Sequence, residues 1–466
     1  MPDRERVVIL GSGWAGYCVS RDLDKSKYQV VVVSPRSYFV FTPLLASTSV
    51  GTLEFRTALE PVRSRRNNVT FFQGWADSVD FDKKSVQIEE AVADPTQGLA
   101  PTGDRHEGES QEDKIRRIQA ETKEGRLFPM AWDKLIVSVG CYSQTFGTPG
   151  VREHAYFLKD VGDARKIRNR MLTSTGIEWS AELHDLITED MSKLYPELVE
   201  HCKITVYDVA DKVLPMFDKK LADYAMKHFR RTGIDIKTSH HVQELRPGAP
   251  GEVQEGGLVK DETSCYTIKL KEEGEIGIGM CVWSTGLMMN PFVDEALGQP
   301  VKLPVDSVEM VQEPKGDDLT WHVRKNEKNG GIMTNHSLRM ILEPEKAEGR
   351  AVLKDVFALG DCAIVEDTMY PATAQVANQK ARWLAKHLNK RDVDTASFNY
   401  KDLGVMAYVG NWNAIMQSSG GDISGRAAWL IWRGAYLTKS ISWRNKILIP
   451  IYWFVNWLFG RDISRF

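Results

Sequence analysis

Cysteine is sparse in this sequence, with six residues among 466 and no CxxC pair. Disulfide frameworks and zinc sites use closely spaced cysteines, so the sequence predicts neither of them. The adjacent residues His240 and His241 would point to opposite faces of a strand, which is a poor arrangement for a pair of metal ligands. The sequence therefore predicts no metal site, and it predicts buried thiols in a reducing or neutral compartment.

Long apolar runs and an excess of one charge are missing as well. No stretch reaches the roughly 20 apolar residues that a spanning helix requires, and a net charge of −3 argues against nucleic acid as a partner. The first residues, MPDRER, lead directly into an apolar segment, so neither a secretory signal nor an arginine-rich transit peptide is predicted there. Import into an organelle would need another signal or a longer N-terminus.

What is present is typical of a mainly globular protein of two or three domains, with 42% hydrophobic and 26% charged residues. Three polar segments lack the apolar pattern of a core and are predicted to be insertions. They are residues 89–126, 246–262 and 312–330.

The first apolar segment, Val7 to Leu10, runs into Gly11, Gly13 and Gly16, which are spaced as GxGxxG. In a dinucleotide-binding unit the first glycine permits a tight turn and the second lets a pyrophosphate approach the backbone. The third lets the following helix pack on the sheet, and the N-terminus of that helix faces the phosphates. The pattern predicts a dinucleotide site near the start of the chain.

A second predicted strand, Gln29 to Val33, ends at Ser34, Pro35 and Arg36, where an NAD-binding unit more usually carries an acid. This segment either contacts a cofactor ribose through a hydroxyl and a cation, or it is a plain polar turn. Its residues alone leave both interpretations open.

Strand signals recur along the chain and alternate with helical patterns, which predicts an α/β fold. Glycines close several of these strands, and Gly140, Gly286 and Gly360 would let the backbone pass close to a bound cofactor. A plain turn at the end of a strand explains any one of them equally well. The predicted elements are strands over residues 135–139, 203–207, 281–286 and 355–361, and a helix over residues 218–231.

The C-terminal segment from Arg426 to Phe466 is rich in tryptophan and in Lys and Arg, with Asp462 as its one acid. Its apolar part, residues 447–459, is too short to span a bilayer and contains Pro450. Aromatic and cationic side chains together favour the headgroup region of a membrane. The segment is predicted to lie in that interface, and the alternative is a terminal helix that packs on the protein's own core or on a second subunit.

Six ordered motifs, GSGWAG, SPRSYFVFTPLL, TFGTPGV, WSTG, ALGDCA and AQVANQKARWLA, and the terminal FGRDISRF carry a resemblance to type II NADH dehydrogenases, in particular to fungal mitochondrial members. The resemblance implies FAD, NADH and ubiquinone as cofactor and substrates. It also implies a peripheral location on the mitochondrial inner membrane and a homodimer.

The resemblance assigns residues to each ligand. The FAD pyrophosphate takes Gly11, Gly13, Trp14, Ala15 and Gly16; its ribose takes Ser34, Pro35 and Arg36; its ribityl chain takes Gly360 and Asp361; and its isoalloxazine takes Thr42, Pro43 and Leu44. The resemblance places Gly140 and Gly286 close to the cofactors and assigns Thr175, Gly176 and Asp208 to NADH. It assigns Ala374, Gln375, Ala377 and Gln379 to the quinone end of the flavin. The residues that it assigns to the reaction itself are Glu178, Gln375 and Gln379.

The fold implied is glutathione-reductase-like, with two Rossmann-like dinucleotide-binding domains and a C-terminal amphipathic membrane-anchoring segment. The predicted domains are residues 1–150 and 331–400 for FAD, 151–330 for NADH, and 401–466 for the anchor. Cys141 and Cys362 invite comparison with sulfide:quinone oxidoreductases, which need a reactive cysteine pair, but neither has an evident electropositive setting.

The NADH domain departs from the family pattern. Before TGxE the family carries an apolar strand and a glycine-rich turn, whereas here residues 163–174 are strongly basic and have no run of valine or isoleucine. A central parallel strand is buried on both faces, so this segment is predicted not to supply one. Either a segment was lost from this version of the sequence, or the chain is a membrane-associated flavoprotein that no longer binds NADH. The family often has a histidine where Asn378 stands, so no proton-donor role is predicted there.

Overall fold

The computed structural model describes residues 4–64, 67–92, 97, 125–170, 177–251, 265–314 and 320–461. The chain divides into two compact units. The first consists of Met1–Phe39, Pro61–Tyr142 and Leu287–Lys401, and the second of Val40–Glu60, Ser143–Gly286 and Asp402–Phe466. Residues 40–60 are grouped with the middle and the end of the chain, whereas the predicted division placed them in the first FAD segment. The functional assignment of the four predicted domains stays a prediction.

A mixed sheet organises the first unit. The strands of its parallel centre are rich in Val, Ile and Leu, as expected for strands buried on both faces. Glu5–Leu10 lies in the middle, and its residues Val7, Val8 and Ile9 are fully buried. The order of the parallel strands is Thr70–Asp80, Tyr28–Ser34, Glu5–Leu10, Lys134–Val137 and Arg350–Ala358.

Further strands, mostly antiparallel, extend this sheet at both edges. Beyond Thr70–Asp80 they are Ser85–Glu90 and Leu127–Ala131; beyond Arg350–Ala358 they are Arg339–Pro344, Ile332–Thr334 and Ala363–Val365, with Val308–Gln312 and Trp321–Val323 paired alongside. Helices Trp14–Asp22 and Ala374–Lys390 pack against each other. Helix Ala374–Lys390 begins at Thr373, whose hydroxyl accepts a hydrogen bond from the Val376 N–H at 3.4 Å.

The described part of the second unit contains short strands only. Thr205–Tyr207 pairs in parallel with Asp235–Lys237. Two antiparallel sheets are formed by Val242–Pro247, Tyr266–Leu270 and Gly274–Ile278, and by Val405–Gly410, Asn413–Ser418 and Gly421–Gly425. The helices of this unit are Leu45–Ser49, Val151–His154, Val161–Arg170, Ile177–Leu186, Ser192–Leu194, Pro196–Val199, Lys219–Thr232, Arg426–Lys439 and Trp443–Phe459, with a π-helix over Ile187–Met191.

Helix Lys219–Thr232 confirms the helix predicted over residues 218–231, and its ends follow from the sequence. The Asp218 carboxylate accepts a hydrogen bond from the Leu221 N–H at 2.8 Å, and Gly233 ends the helix with φ +85°. Aspartate is favoured just before a helix because its carboxylate accepts a hydrogen bond from a free backbone N–H, and glycine is favoured just after a helix because it adopts a positive φ. The apolar face, which includes the fully buried Phe229, packs into the core of the second unit.

Two predicted strands differ from the structure. Of residues 281–286, only Val282 makes a bridge, to Tyr156. The strand predicted over 355–361 ends at Ala358, because Gly360 turns the backbone with φ +87°. Both differences lie where a predicted strand runs into its terminal glycine.

Of the segment 163–174, which the sequence predicted to supply no strand, residues 163–170 lie in the helix Val161–Arg170. Within the described residues Thr205–Tyr207 has one paired neighbour, Asp235–Lys237, on one side only. Residues 171–176 lie outside the described part. In the described part of the predicted NADH domain, the parallel pair at Thr205–Tyr207 and the bridge at Val282 are therefore not joined by a strand between them.

Candidate functional site

The GxGxxG turn of the first unit has the geometry of a dinucleotide cradle. The Gly11 N–H donates to the Val33 carbonyl at 2.8 Å, and Gly11 has φ +104°. A Cβ at Gly11 would overlap the Ser138 carbonyl, and a Cβ at Gly16 would overlap the Gly11 carbonyl. These two positions therefore require glycine for the turn itself and for the packing of the helix on the strand.

Gly13 is different, because a Cβ there would meet no atom of the protein within 4 Å. It precedes helix Trp14–Asp22, whose N-terminus has no side-chain cap within the described residues. Backbone N–H groups at such a helix start can bind a pyrophosphate. The open space at Gly13 and this helix start fit FAD at the position that the sequence predicted, with Trp14, Ala15 and Gly16 in the first turn.

The turn after the second strand is held from within. The Ser34 side chain is 3% exposed, and its hydroxyl lies 2.9 Å from Ser12 Oγ. The Arg36 N–H donates to Ser34 Oγ at 3.3 Å, while the Arg36 side chain is exposed and Pro35 is half-buried. The sequence left two interpretations open, a plain polar turn and a contact with a cofactor ribose. The Ser34 contacts fit the polar turn, whereas the exposed Arg36 side chain fits a residue that can reach a ligand.

Gly140, Cys141 and Asp361 come together in the first unit. Gly140 has φ +70° and no atom within 4 Å of a Cβ, and the Cys141 thiol donates to the Asp361 carbonyl at 3.1 Å. Cys362 is fully buried, and burial raises the pKa of its thiol to about 11. Burial of this kind is typical of a structural thiol rather than of a reactive one.

The amides predicted for the quinone end make hydrogen bonds to the segment that follows. Gln375 Oε1 accepts from the Tyr400 hydroxyl at 2.6 Å. Gln379 makes two bonds with the backbone of Lys401, of 2.8 and 3.0 Å. Asn378 donates to Cys18 Sγ at 3.0 Å. Ala374 is half-buried and Ala377 is buried, so this helix start is held firmly in its place.

Lys380 was not singled out from the sequence. It is 2% exposed, and its Nζ donates to the Ala363 carbonyl at 3.2 Å. Burial lowers the pKa of this amine to about 8. The signal available in the sequence was the spacing: Lys380 follows Val376 by four residues, so on a helix it lies on the same face as that apolar side chain, which is buried.

Thr42, Pro43 and Leu44 form a single 3-10 turn that leads into helix Leu45–Ser49, and the structure groups them with the second unit. Leu44 is 1% exposed. The turn therefore has a fixed position relative to the helix that follows it.

The residues predicted for NADH lie in the second unit. Asp208 follows strand Thr205–Tyr207, and its Oδ1 accepts from the Ala210 N–H at 2.9 Å. Gly286 has φ +71°, and a Cβ there would be 2.8 Å from Gln144 Cβ. Thr175 and Gly176 lie outside the described residues, as does the side chain of Glu178.

A buried group of acids in helix Ile177–Leu186 and the π-helix after it was also missed. Glu182 and Asp185 are 6% and 3% exposed. Arg461 of the C-terminal tail donates to Glu189 at 2.8 Å and to Asp190 at 2.6 Å. The spacing of Glu182, Asp185 and Glu189 on one helical face was visible in the sequence, but the partner Arg461 is far away along the chain.

This chain is similar to known proteins over most of its length. The model of the family described as pyridine nucleotide-disulphide oxidoreductase matches residues 5–307, and that of the NDH2 C-terminal domain matches residues 403–462. A probable NADH dehydrogenase of Dictyostelium discoideum is 33% identical, over 100% of this chain and 92% of the relative. An external alternative NADH-ubiquinone oxidoreductase, mitochondrial, of Yarrowia lipolytica is 30% identical, over 100% of this chain and 81% of the relative.

Among solved structures, NDH2 of Plasmodium falciparum in complex with NADH matches with a TM-score of 0.73 and 19% identity, over 99% of this chain and all (100%) of that chain. This likeness shows the fold. Together with the family models and the curated relatives it gives the classification: the chain belongs to the type II NADH dehydrogenases, within the pyridine nucleotide-disulphide oxidoreductase family.

Proposed function

We propose that this chain oxidises NADH and reduces ubiquinone through bound FAD, without moving protons across the membrane. The observation that carries the proposal is the GxGxxG turn at Gly13, which is open to a ligand and faces an uncapped helix N-terminus in a member of this family. The names of the curated relatives, NADH or NAD(P)H-ubiquinone oxidoreductases of mitochondria, support the same reaction and a mitochondrial location.

The residues of the first unit would hold the central part of FAD. Gly13 and the first turn of helix Trp14–Asp22 would bind the pyrophosphate, and Gly360 and Asp361 the ribityl chain. The bound flavin supplies two-electron chemistry that separates a hydride donor from a quinone acceptor. The protein's contribution is to position each substrate and to give the quinone a proton.

We also propose that helix Trp443–Phe459 lies in the surface of the mitochondrial inner membrane. It buries Asn445 and Ile449 against the protein and exposes an apolar side. In the described part of the chain, no helix has the length and apolarity to cross a bilayer. An interfacial helix buries such an apolar side among headgroups. The exposed apolar residues of the helix are Trp443, Ile447, Ile451, Phe454, Val455, Trp457, Leu458 and Phe459.

Flotation with vesicles of phosphatidylcholine and an anionic phospholipid tests this placement. The double variant Phe454→Ser, Trp457→Ser removes two residues that are 59% and 66% exposed, and we expect it to float much less than the wild type. Met369→Ser, which removes an exposed apolar residue of the first unit, is the control and should float normally. Equal flotation of all three proteins would contradict the placement. A homodimer, also proposed from the resemblance, is tested on the same samples by light scattering in detergent.

The second candidate function is that of a membrane-associated flavoprotein that keeps FAD and does not bind NADH. The observation in its favour is that, in the described residues, Thr205–Tyr207 pairs with Asp235–Lys237 alone. The retained Asp208 and the WSTG motif at residues 283–286 favour the dehydrogenase, because both serve NADH in the family.

The deciding experiment uses the full chain purified in detergent, loaded with FAD and mixed with NADH without oxygen. Bleaching of the flavin absorbance that a short-chain ubiquinone reverses is the result expected of the dehydrogenase. Flavin that dithionite bleaches and NADH does not would support the second candidate instead. With either outcome, the amount of FAD that the purified protein retains reports on the cradle at Gly13 and not on NADH binding.

A further inference from the structure

A cavity of about 740 Å³ lies inside the second unit. Indole rings form most of its apolar wall, and acids from helix Ile177–Leu186 and the π-helix Ile187–Met191 form a polar side. π-helical turns inside longer helices often mark functional sites. A cavity of this size with polar groups on its wall can hold water. The tryptophans are Trp412, Trp429, Trp432, Trp453 and Trp457, and the acids are Glu182, Asp185, Glu189 and Asp190.

Three of these four acids have strong donors as partners. Asp185 accepts hydrogen bonds from the Tyr408 hydroxyl and from the Asn411 N–H, the latter at 2.9 Å. Glu189 and Asp190 are paired with the Arg461 guanidinium. These donors satisfy carboxylate oxygens of Asp185, Glu189 and Asp190.

Glu182 has a different environment. Its two oxygens accept from the hydroxyls of Ser47, at 2.7 Å, and Thr52, at 3.1 Å, and the residue is 6% exposed. Burial raises the pKa of this carboxyl, and the opposing effects of Arg461 and the Ser47 hydroxyl are smaller. The other charged or titratable groups that act on it are Asp185, one turn along its own helix, Arg433 of helix Arg426–Lys439, and Tyr408 of strand Val405–Gly410.

Glu182 lies close along the chain, or through a hydrogen-bond partner, to residues that the resemblance assigns to the reaction. Ser47, its hydrogen-bond donor, comes three residues after Leu44, the last residue of the turn that the family resemblance assigns to the isoalloxazine. One turn of helix rises about 5.4 Å. Glu178, the acid that the resemblance assigns to the reaction, precedes Glu182 by one turn of the same helix.

We propose that Glu182 holds the proton that ubiquinone takes up when it is reduced, and that water in the cavity restores this proton. The inference rests on the proposed function. NADH, ubiquinone and one proton give NAD⁺ and ubiquinol: the hydride brings two electrons and one hydrogen, and the second hydrogen is a proton. The O–H bond of the Glu182 carboxyl breaks, an O–H bond forms on the quinone oxygen by way of water, and a solvent proton returns to Glu182. Asn378 cannot supply this proton, because a side-chain amide does not release a proton near neutral pH.

Glu182→Gln tests the proposal in the FAD-loaded full chain, because it keeps the shape and loses the proton. We expect flavin bleaching by NADH at the wild-type rate and reoxidation by a short-chain ubiquinone slowed by about 10²-fold. Reoxidation by ferricyanide, which takes electrons without protons, should be unchanged. Glu182→Asp should restore part of the quinone rate. Glu309→Gln makes the same change at an exposed side chain of the first unit that is not part of the cavity wall, and it should leave the quinone rate near that of the wild type.

A second readout does not depend on turnover. A carboxylic acid C=O band should be present in the infrared spectrum of the wild type at neutral pH and missing from Glu182→Gln. Wild-type quinone rates and an unchanged pH profile in Glu182→Gln would overturn the proposal, as would the absence of that band. If NADH does not bleach the wild type, the proposed function fails separately, and the quinone step is then measured after reduction with dithionite.

Discussion

Adding one methyl group to either of two glycines of the same motif should affect different properties, FAD binding in one case and folding in the other. Gly13→Ala places a Cβ where no protein atom lies within 4 Å, so we expect an unchanged thermal unfolding midpoint but a large loss of FAD. Gly11→Ala should fail to fold, because its Cβ overlaps the Ser138 carbonyl at a φ of +104°. Flavin content after desalting and thermal unfolding of the apoprotein measure the two effects. Full FAD retention by Gly13→Ala would contradict the assignment of the pyrophosphate.

A pH dependence follows from Lys380, whose pKa burial lowers to about 8. The unfolded chain binds this proton up to about pH 10.4, so between these values the folded state binds fewer protons and its stability rises with pH. Lys380→Met removes the effect. From pH 8 to 10.4 the free energy of unfolding of the wild type should gain about 3 kcal/mol on that of the variant. Urea titrations measure it, with Lys386→Met on the exposed side of the same helix as control; parallel curves for wild type and Lys380→Met would refute it.

Residues that act through local backbone geometry could be predicted from the sequence, and those that act through distant contacts could not. Gly11 and Gly16 are needed within one strand–turn–helix unit, so their spacing alone located the cradle. Glu182 depends on Ser47 and Arg461, which are 135 and 279 positions away in the numbering and meet it only in the folded chain. Its neighbours in sequence carry no sign of those partners.

At the scale of elements, helix Trp443–Phe459 is fastened near its start by a buried amide. Asn445 donates to Glu60 Oε1 at 2.9 Å and to the Leu59 carbonyl, and Glu60 is 7% exposed. Asn445→Ala leaves the carboxylate with fewer donors, which should cost about 1–3 kcal/mol. Hydrogen exchange of the helix amides should speed up, whereas Arg444→Ala, at an exposed neighbour, should leave it unchanged. Equal exchange in both variants would show that apolar packing alone holds the helix.

Helices with clear end signals were easier to predict than strands. Asp218 and Gly233 mark the ends of helix Lys219–Thr232 in the sequence itself. A strand needs neighbours, and residues 281–286 have the composition of a strand but make a single bridge at Val282. Strand propensity describes how a segment fits beside others, so it cannot show that a partner is missing.

At the scale of the whole molecule, the predicted NADH domain decides between the two candidate functions. The alignment with the Dictyostelium discoideum relative extends over 498 positions and covers all of this chain, which has 466 residues, so the relative has internal residues that this chain lacks. In the described structure the sheet pieces at Thr205–Tyr207 and Val282 are separate. A central parallel strand would supply the strand pairing between these two pieces. The glycine-rich turn after it would supply the helix start that binds phosphate.

Restoring such a segment should therefore restore nucleotide affinity. We expect that inserting five apolar β-branched residues and a GGGP turn between Arg170 and Thr175 lowers the KM for NADH by at least about tenfold, which corresponds to about 1.4 kcal/mol. It should also slow hydrogen exchange in Thr205–Tyr207, since that strand gains a second neighbour. A Gly/Ser insert of equal length, which cannot form a buried strand, is the control. If both inserts leave the KM for NADH where it is, the existing chain binds the nucleotide without that strand, and the helix Val161–Arg170 belongs to its working structure.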